Sequence, residues 1–204
     1  EIADQLEISF LKKSSIKEVI TTSPLDFLSD QINPPKLLNK TRKKSVPECI
    51  DMLELINRHQ EARITCSKIS TEDIAYLTYT SGTTGPPKGA MNTHGNIAFN
   101  ARVYQVMQRI DETDAILGVA PLFHVTGEVA HLAAAALAGI PVVLYYRFDA
   151  AETLRLIERW KITTTVASIT VYIALMNHPD IQKRDLSSFR KAYSGGAPVS
   201  EAVV

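Results

Sequence analysis

Apolar positions along the chain fall into blocks of two kinds, some repeating at helical spacing and some running without a break. Ile2, Leu6 and Phe10 recur every fourth residue and predict an amphipathic helix over residues 2–12. A β-branched run from Lys17 to Thr22 predicts a strand. Residues 23–47, with Pro24, Pro34, Pro35 and Pro47 among polar filler, read as a long connection. Ile50 to His59 reads as a short helix with Met52, Leu53 and Ile56 inward. Ser70-Thr71-Glu72-Asp73 is a turn or cap signal. Ala75 to Thr80 reads as a strand, and Gly89-Ala90-Met91-Asn92 as a second, short one. His94 to Gln108 suits a helix, and Asp111 to Asp114 a charged turn. Ala115 to Ala120 is a buried strand ended by Pro121.

Gly127 to Ala138 is an Ala-rich helix stopped by Gly139. Pro141 to Tyr146 is a continuous apolar strand. Asp149-Ala150-Ala151-Glu152 forms a capping box for a helix over 150–160. Ile162 to Ile169 is a strand, Val171 to Asn177 a helix halted near Pro179, and Arg190 to Tyr193 a strand entering Ser194-Gly195-Gly196-Ala197-Pro198. Strands and helices alternate from residue 75 onward, and several strands are apolar throughout, as in sheets covered on both faces. The class is α/β with largely parallel sheets flanked by helices.

Composition changes this picture little. The chain has 204 residues, 45% hydrophobic and 22% charged, with zero formal net charge. A soluble globular chain is indicated, with no bulk charge to attract nucleic acid. The basic cluster Lys40-Thr41-Arg42-Lys43-Lys44 reads as a solvated loop. Cys49 and Cys66 lack metal or disulfide spacing, so a reducing, cytoplasmic setting is the default, with peripheral membrane association left open. The longest apolar run, Val129 to Tyr146, contains His131 and breaks at Gly139-Ile140-Pro141; no transmembrane segment is expected. His59 and His178 read as residues at helix ends, His131 as structural, and Trp160 as a packing residue.

One stretch fits none of these elements: Tyr79-Thr80-Ser81-Gly82-Thr83-Thr84-Gly85-Pro86-Pro87-Lys88-Gly89. Such a mixture reads as a loop that holds an anion. Glycines let backbone N–H groups converge without side-chain bulk. The hydroxyls of Thr80, Ser81, Thr83 and Thr84 add donors, and Lys88 adds a mobile charge. The spacing is neither a Walker A loop nor a dinucleotide GxGxxG fingerprint. Gly, Ser, Thr and Pro content alone also suits a flexible linker. Two later segments stand at strand-to-helix junctions: Pro121-Leu122-Phe123-His124-Val125-Thr126-Gly127 and Ser194-Gly195-Gly196-Ala197-Pro198. Alone, the first suits packing as well as function, and the second is an ordinary turn.

Together the three strings resemble the signatures of the adenylate-forming superfamily, in its acyl-CoA synthetase branch. The likeness is most specific from Asp73 to Glu201. Residues 1–70 form a loosely matched leading part, and 71–204 the core. The resemblance implies that Thr80, Ser81, Gly82, Thr83, Thr84, Gly85 and Lys88 bind the ATP phosphates, with Thr80 a candidate Mg²⁺ contact. It implies that Phe123 and His124 line or gate the pocket for a carboxylic acid, that Gly127 leaves room for the acyl chain, and that Gly195, Gly196, Ala197 and Pro198 pack on adenine. ATP, Mg²⁺ and coenzyme A are the implied cofactor and substrates, and a fatty acid the implied acid. Phe123-His124 departs from the Phe-Asp usual in peptide-synthetase adenylation domains, the nearest rival. A nucleotide-binding module without catalysis is the rival from another class.

Family members carry further parts that these residues lack: an aromatic-Gly-x-Thr-Glu string, a ribose-binding aspartate and a C-terminal domain with a lysine. The expectation is therefore part of an N-terminal domain, inactive alone, with oligomeric state open. Ala167-Ser168-Ile169-Thr170 stands where relatives usually have a Val-Pro-Thr segment.

Overall fold

The computed structural model describes residues 15–28, 38, 40–63, 65, 67–80 and 85–195. The helix expected over 2–12 lies outside them. The chain divides into two compact units, Glu1–Cys66 and Ser67–Val204.

In the first unit, β1 (Ile20–Thr21) pairs in parallel with β2 (Ile50–Asp51), which runs directly into α1 (Met52–Arg58). The Asp51 carboxylate starts α1 by accepting from the N–H groups of Leu53 and Glu54. The expected helix thus begins two residues later than its apolar pattern suggested. Ile56, expected inward, is exposed. The basic cluster is not simply solvated either. Lys43 bridges Asp26 and Asp51, 2.7 Å from each, so it joins the loop to the start of the helix.

The second unit opens with a hairpin. The turn at Ser70–Asp73 is closed by the Ser70 N–H donating to Asp73 Oδ2 at 2.8 Å. Then β3 (Ile74–Thr80) pairs antiparallel with β4 (Lys88–Thr93), in a register that sets Thr80 opposite Lys88 and Thr78 opposite Ala90. Thr80 and Lys88 are therefore strand residues, and the connecting segment is shorter than the eleven-residue motif. Thr93 and Asn96 cap α2 (His94–Met107) reciprocally, a box the sequence reading missed because Asn stands in the place of Glu or Gln.

A four-stranded parallel sheet follows, in the order β6-β5-β7-β8. Its strands are β5 (Ile116–Gly118), β6 (Val142–Leu144), β7 (Thr164–Ala167) and β8 (Lys191–Ser194). Adjacent residues of β5 point to opposite faces. Ile116 joins Ile110, Ala134, Ala135 and Ile140. Leu117 joins Leu156, Ile157 and Ile162. Each face is thus covered by helix. One cover is a π-helical segment, Thr126–Ala133, continuing as α3 (Ala134–Ala138) and stopped by Gly139 at φ 68°. The other is α4 (Ala150–Trp160), which buries Thr153, Leu154, Leu156 and Ile157. Burial on both faces explains why these strands are apolar rather than alternating.

Asp149 accepts from the Glu152 N–H at 2.8 Å. Glu152 itself turns to Arg155, so only half of the expected capping box operates. Trp160 does not bury its ring. It is half exposed, and the Arg159 guanidinium lies 5.3 Å from the ring centroid. α5 (Ile169–Met176) completes the layer after β7. No helix among the described residues is long and apolar enough to cross a membrane.

The two ends of the sheet are chemically different. At the amino ends of the strands, Asp114 is fully buried. It receives the Lys191 ammonium at 2.5 Å, the Thr163 hydroxyl at 2.6 Å and the Asp111 N–H at 3.0 Å. These contacts tie the entries of β5, β7 and β8 together. The carboxyl ends open into a cavity.

Candidate active site

The cavity, about 900 Å³, lies at the carboxyl ends of the parallel strands, where open α/β sheets bind ligands. Each strand contributes the residues that leave it. Gly118 ends β5 and Val119 to His124 follow it, Tyr145 to Phe148 follow β6, Ser168 follows β7, and Gly195 follows β8. Phe123, His124 and Gly195, picked from two separate motifs, therefore meet on one cavity.

His124 is exposed, and its Nδ1 accepts the Thr126 N–H at 3.2 Å. In a neutral imidazole this leaves the proton on Nε2, a donor for an incoming oxygen. Phe123 is 82% exposed, an apolar ring with room to turn toward a ligand.

Gly127 is buried and does not line the cavity. A Cβ there would sit 2.3 Å from the Pro121 carbonyl oxygen and 2.9 Å from that of Ala120. The glycine is required because the helix start folds back against the backbone that leaves β5.

The sequence reading took Pro141 to Tyr146 as a continuous apolar strand and did not single out Tyr145, Tyr146, Arg147 or Phe148. The strand ends at Leu144. The signal was available: these residues occupy the same strand-to-helix position in the fold as His124. Tyr145 hydrogen-bonds Thr153 at 2.8 Å, and burial pushes its phenol up to about 12, so it is a neutral wall. Arg147 is exposed and has no ion-pair partner among the described residues.

Behind the cavity, Tyr172 donates its hydroxyl to the Tyr193 carbonyl at 2.7 Å, holding the end of β8 just before Gly195. His131 is fully buried in the π-helical segment, with Nε2 3.0 Å from the Val166 carbonyl of β7. The expected structural role fits this contact. Burial lowers its pKa, partly opposed by that hydrogen bond.

The hairpin carries the other candidates. Thr80 and Lys88 are both exposed at its end. Thr80 Oγ1 donates weakly to the Lys88 carbonyl at 3.4 Å, and the Lys88 ammonium has no ion-pair partner among the described residues. Gly85 has open space where a Cβ would be. Ser81, Gly82, Thr83, Thr84, Gly196, Ala197 and Pro198 lie outside the described residues.

Glu128, one turn after His124, links the hairpin to the cavity. It accepts the Thr78 hydroxyl at 2.8 Å, and Asn92 Nδ2 donates to Thr78 Oγ1 at 3.2 Å.

Comparison with known proteins places this geometry among relatives. The family model described as AMP-binding enzyme matches residues 7–204. A long-chain-fatty-acid–CoA ligase of Bacillus subtilis is 37% identical over 199 residues, covering 90% of this chain and 34% of that protein. A 4-coumarate–CoA ligase of Humulus lupulus is 34% identical, covering 76% of this chain and 29% of that protein. Among solved structures, an O-succinylbenzoate coenzyme A synthetase of Bacillus subtilis in complex with AMP aligns with TM-score 0.61 at 34% identity, over 74% of this chain and 38% of the other. The chain spans about a third of the length of the curated relatives it matches.

Proposed function

Since the chain belongs to the AMP-binding enzyme family, we propose that it forms the phosphate-gripping and acid-receiving part of an acid–thiol ligase. In the whole protein, a carboxylate oxygen attacks the α-phosphorus of ATP and pyrophosphate leaves, giving an acyl-adenylate. The sulfur of coenzyme A then attacks the acyl carbon, its thiol proton is lost, and AMP leaves. The observation that carries this reading is the convergence of Phe123, His124 and Gly195 on one cavity at the carboxyl ends of the sheet.

Phosphoryl chemistry depends mostly on fixed donors and charge. Lys88, exposed at the hairpin end, supplies charge to the β- and γ-phosphates. The hydroxyls and backbone N–H groups of Thr80, Ser81, Gly82, Thr83, Thr84 and Gly85 supply donors. Backbone of Gly195, Gly196, Ala197 and Pro198 packs on adenine. The His124 Nε2–H holds a substrate oxygen while Phe123 shields the acyl side from water.

The exposed Thr80 hydroxyl is an oxygen of the kind Mg²⁺ takes. No carboxylate cluster that could hold a metal stands among the described residues, so phosphate oxygens and water would complete its shell. When bound, the ion supplies neutralisation of phosphate charge.

A fatty acid is the proposed substrate, supported by the apolar cavity walls and by the long-chain ligase relative. The test is ATP–pyrophosphate exchange by the whole protein across a panel of fatty and aryl acids. Exchange is expected only when an acid is present, strongest with a fatty acid, and reduced about a hundredfold in Lys88→Ala. A preference for an aryl acid reassigns the substrate. Acid-independent exchange, or none with any acid, overturns the ligase reading.

A further inference from the structure

No described residue of the hairpin that carries Thr80 and Lys88 lines the cavity that holds His124. A reaction between groups held on two separate elements needs those elements in register. The run of hydrogen bonds between them, two through side chains and one through backbone, is short and directional. Asn92 of β4 donates to Thr78 Oγ1, Thr78 donates its single hydroxyl proton to Glu128 Oε2, and the Glu128 N–H donates to the His124 carbonyl at 3.0 Å.

Thr78 lies two residues before Thr80, on the same face of β3. Glu128 lies one helical turn after His124. Fixing Thr78 to Glu128 therefore fixes the phosphate end of the hairpin relative to His124.

The chemistry of Glu128 suits that task. It is a half-buried carboxylate with no cationic partner among the described residues. A carboxylate so placed is unfavourable unless hydrogen-bonded. Its compensation is the charge-assisted bond from Thr78 and its place in the first turn of a helix, where the dipole favours negative charge. Neither Thr78 nor Glu128 lines the cavity. The acid is held for what it positions.

We propose that Glu128 is a positioning residue that, through Thr78 and Asn92, sets the phosphate-binding hairpin against the acid-binding segment. This rests on the ligase reading above. A misplacement of about 1 Å between reacting groups can lower turnover about a hundredfold, so loss of the link acts on kcat.

The test uses the whole protein with Glu128→Ala, Glu128→Gln, Thr78→Val and the double variant Thr78→Val/Glu128→Ala. In pyrophosphate exchange, Glu128→Ala and Thr78→Val each lower kcat about tenfold, with KM for ATP and acid within about twofold. Glu128→Gln keeps an acceptor oxygen and stays within about threefold of the unmodified protein. The double variant is no worse than the poorer single variant, as expected for residues of one chain.

Backbone hydrogen exchange over residues 74–93 is the second readout. It quickens in Glu128→Ala and stays unchanged in Glu128→Gln. Additive losses, equal damage from Gln and Ala, or unchanged kcat with unchanged hydrogen exchange overturn the proposal. If the unmodified protein shows no acid-dependent exchange, the ligase reading fails, and hydrogen exchange alone then decides whether the link exists.

Discussion

Replacing Asp114 by Ala should unfold the chain at markedly lower denaturant without touching the cavity. The side chain is fully buried and serves three donors, Lys191, Thr163 and Asp111. Removing one partner of a buried ion pair costs about 3–5 kcal/mol. The lower end applies here, because Lys191 keeps the Arg109 carbonyl at 2.7 Å and the Thr163 hydroxyl keeps the Ala115 carbonyl at 3.3 Å. At a slope of about 2 kcal/mol per molar urea, a loss of about 3 kcal/mol moves the midpoint down by about 1.5 M.

The assay is urea unfolding followed by far-UV circular dichroism, with Lys191→Ala and the double variant completing a cycle. The effect also has a pH signature. Burial alone would raise the Asp114 pKa, but the Lys191 ammonium, the Thr163 hydroxyl and the Asp111 N–H outweigh it and hold the carboxyl below its ordinary 3.8. A group whose folded value is depressed contributes fully above the unfolded value and loses its contribution as pH falls through the folded one. The gap between the unmodified chain and Asp114→Asn should therefore close below pH 3.8. A midpoint shift under about 0.3 M, or additive single variants, would refute this account of the sheet's amino end.

Gly127→Ala should lower the urea midpoint, since its Cβ would meet the Pro121 carbonyl oxygen at 2.3 Å; an unchanged midpoint would mean that the turn relaxes freely. His131→Gln keeps a donor for the Val166 carbonyl but cannot take up a buried charge. Burial depresses the His131 pKa, so its contribution is complete above the ordinary 6.5 and declines as pH falls through the folded value. Acid titration followed by circular dichroism should find the variant losing less stability than the unmodified chain below pH 6.5. Incubated with ATP, acid and coenzyme A, the 204-residue chain alone should form no thioester; product detected by mass spectrometry would contradict this.

Much of the fold was legible in the sequence because its signals are local. Continuous apolar strands, Ala-rich and amphipathic helices, and the stops at Gly139 and Pro121 need only neighbouring residues to act. The motif strings led to the adenylate-forming family on their own, before any geometry. Errors arose where tertiary contact decides. Trp160 and Ile56 have apolar side chains, yet both stay about half exposed, Trp160 with the Arg159 guanidinium over its ring. Lys43 sits in a basic cluster, yet Asp26 and Asp51 converge on it from both sides in sequence.

The linear order also hid relations that only folding creates. The strand order β6-β5-β7-β8 brings Phe123, His124, Tyr145 and Gly195 to one cavity although they leave three different strands. Antiparallel pairing sets Thr80 opposite Lys88. Thr78 and Glu128 stand 50 residues apart in the chain and 2.8 Å apart in space. The sequence by itself determined what each segment is and which chemistry it is suited to, because propensity, period and motif are local. Which segments face each other was decided by burial of apolar strand faces, a property of the whole sheet that no single stretch contains.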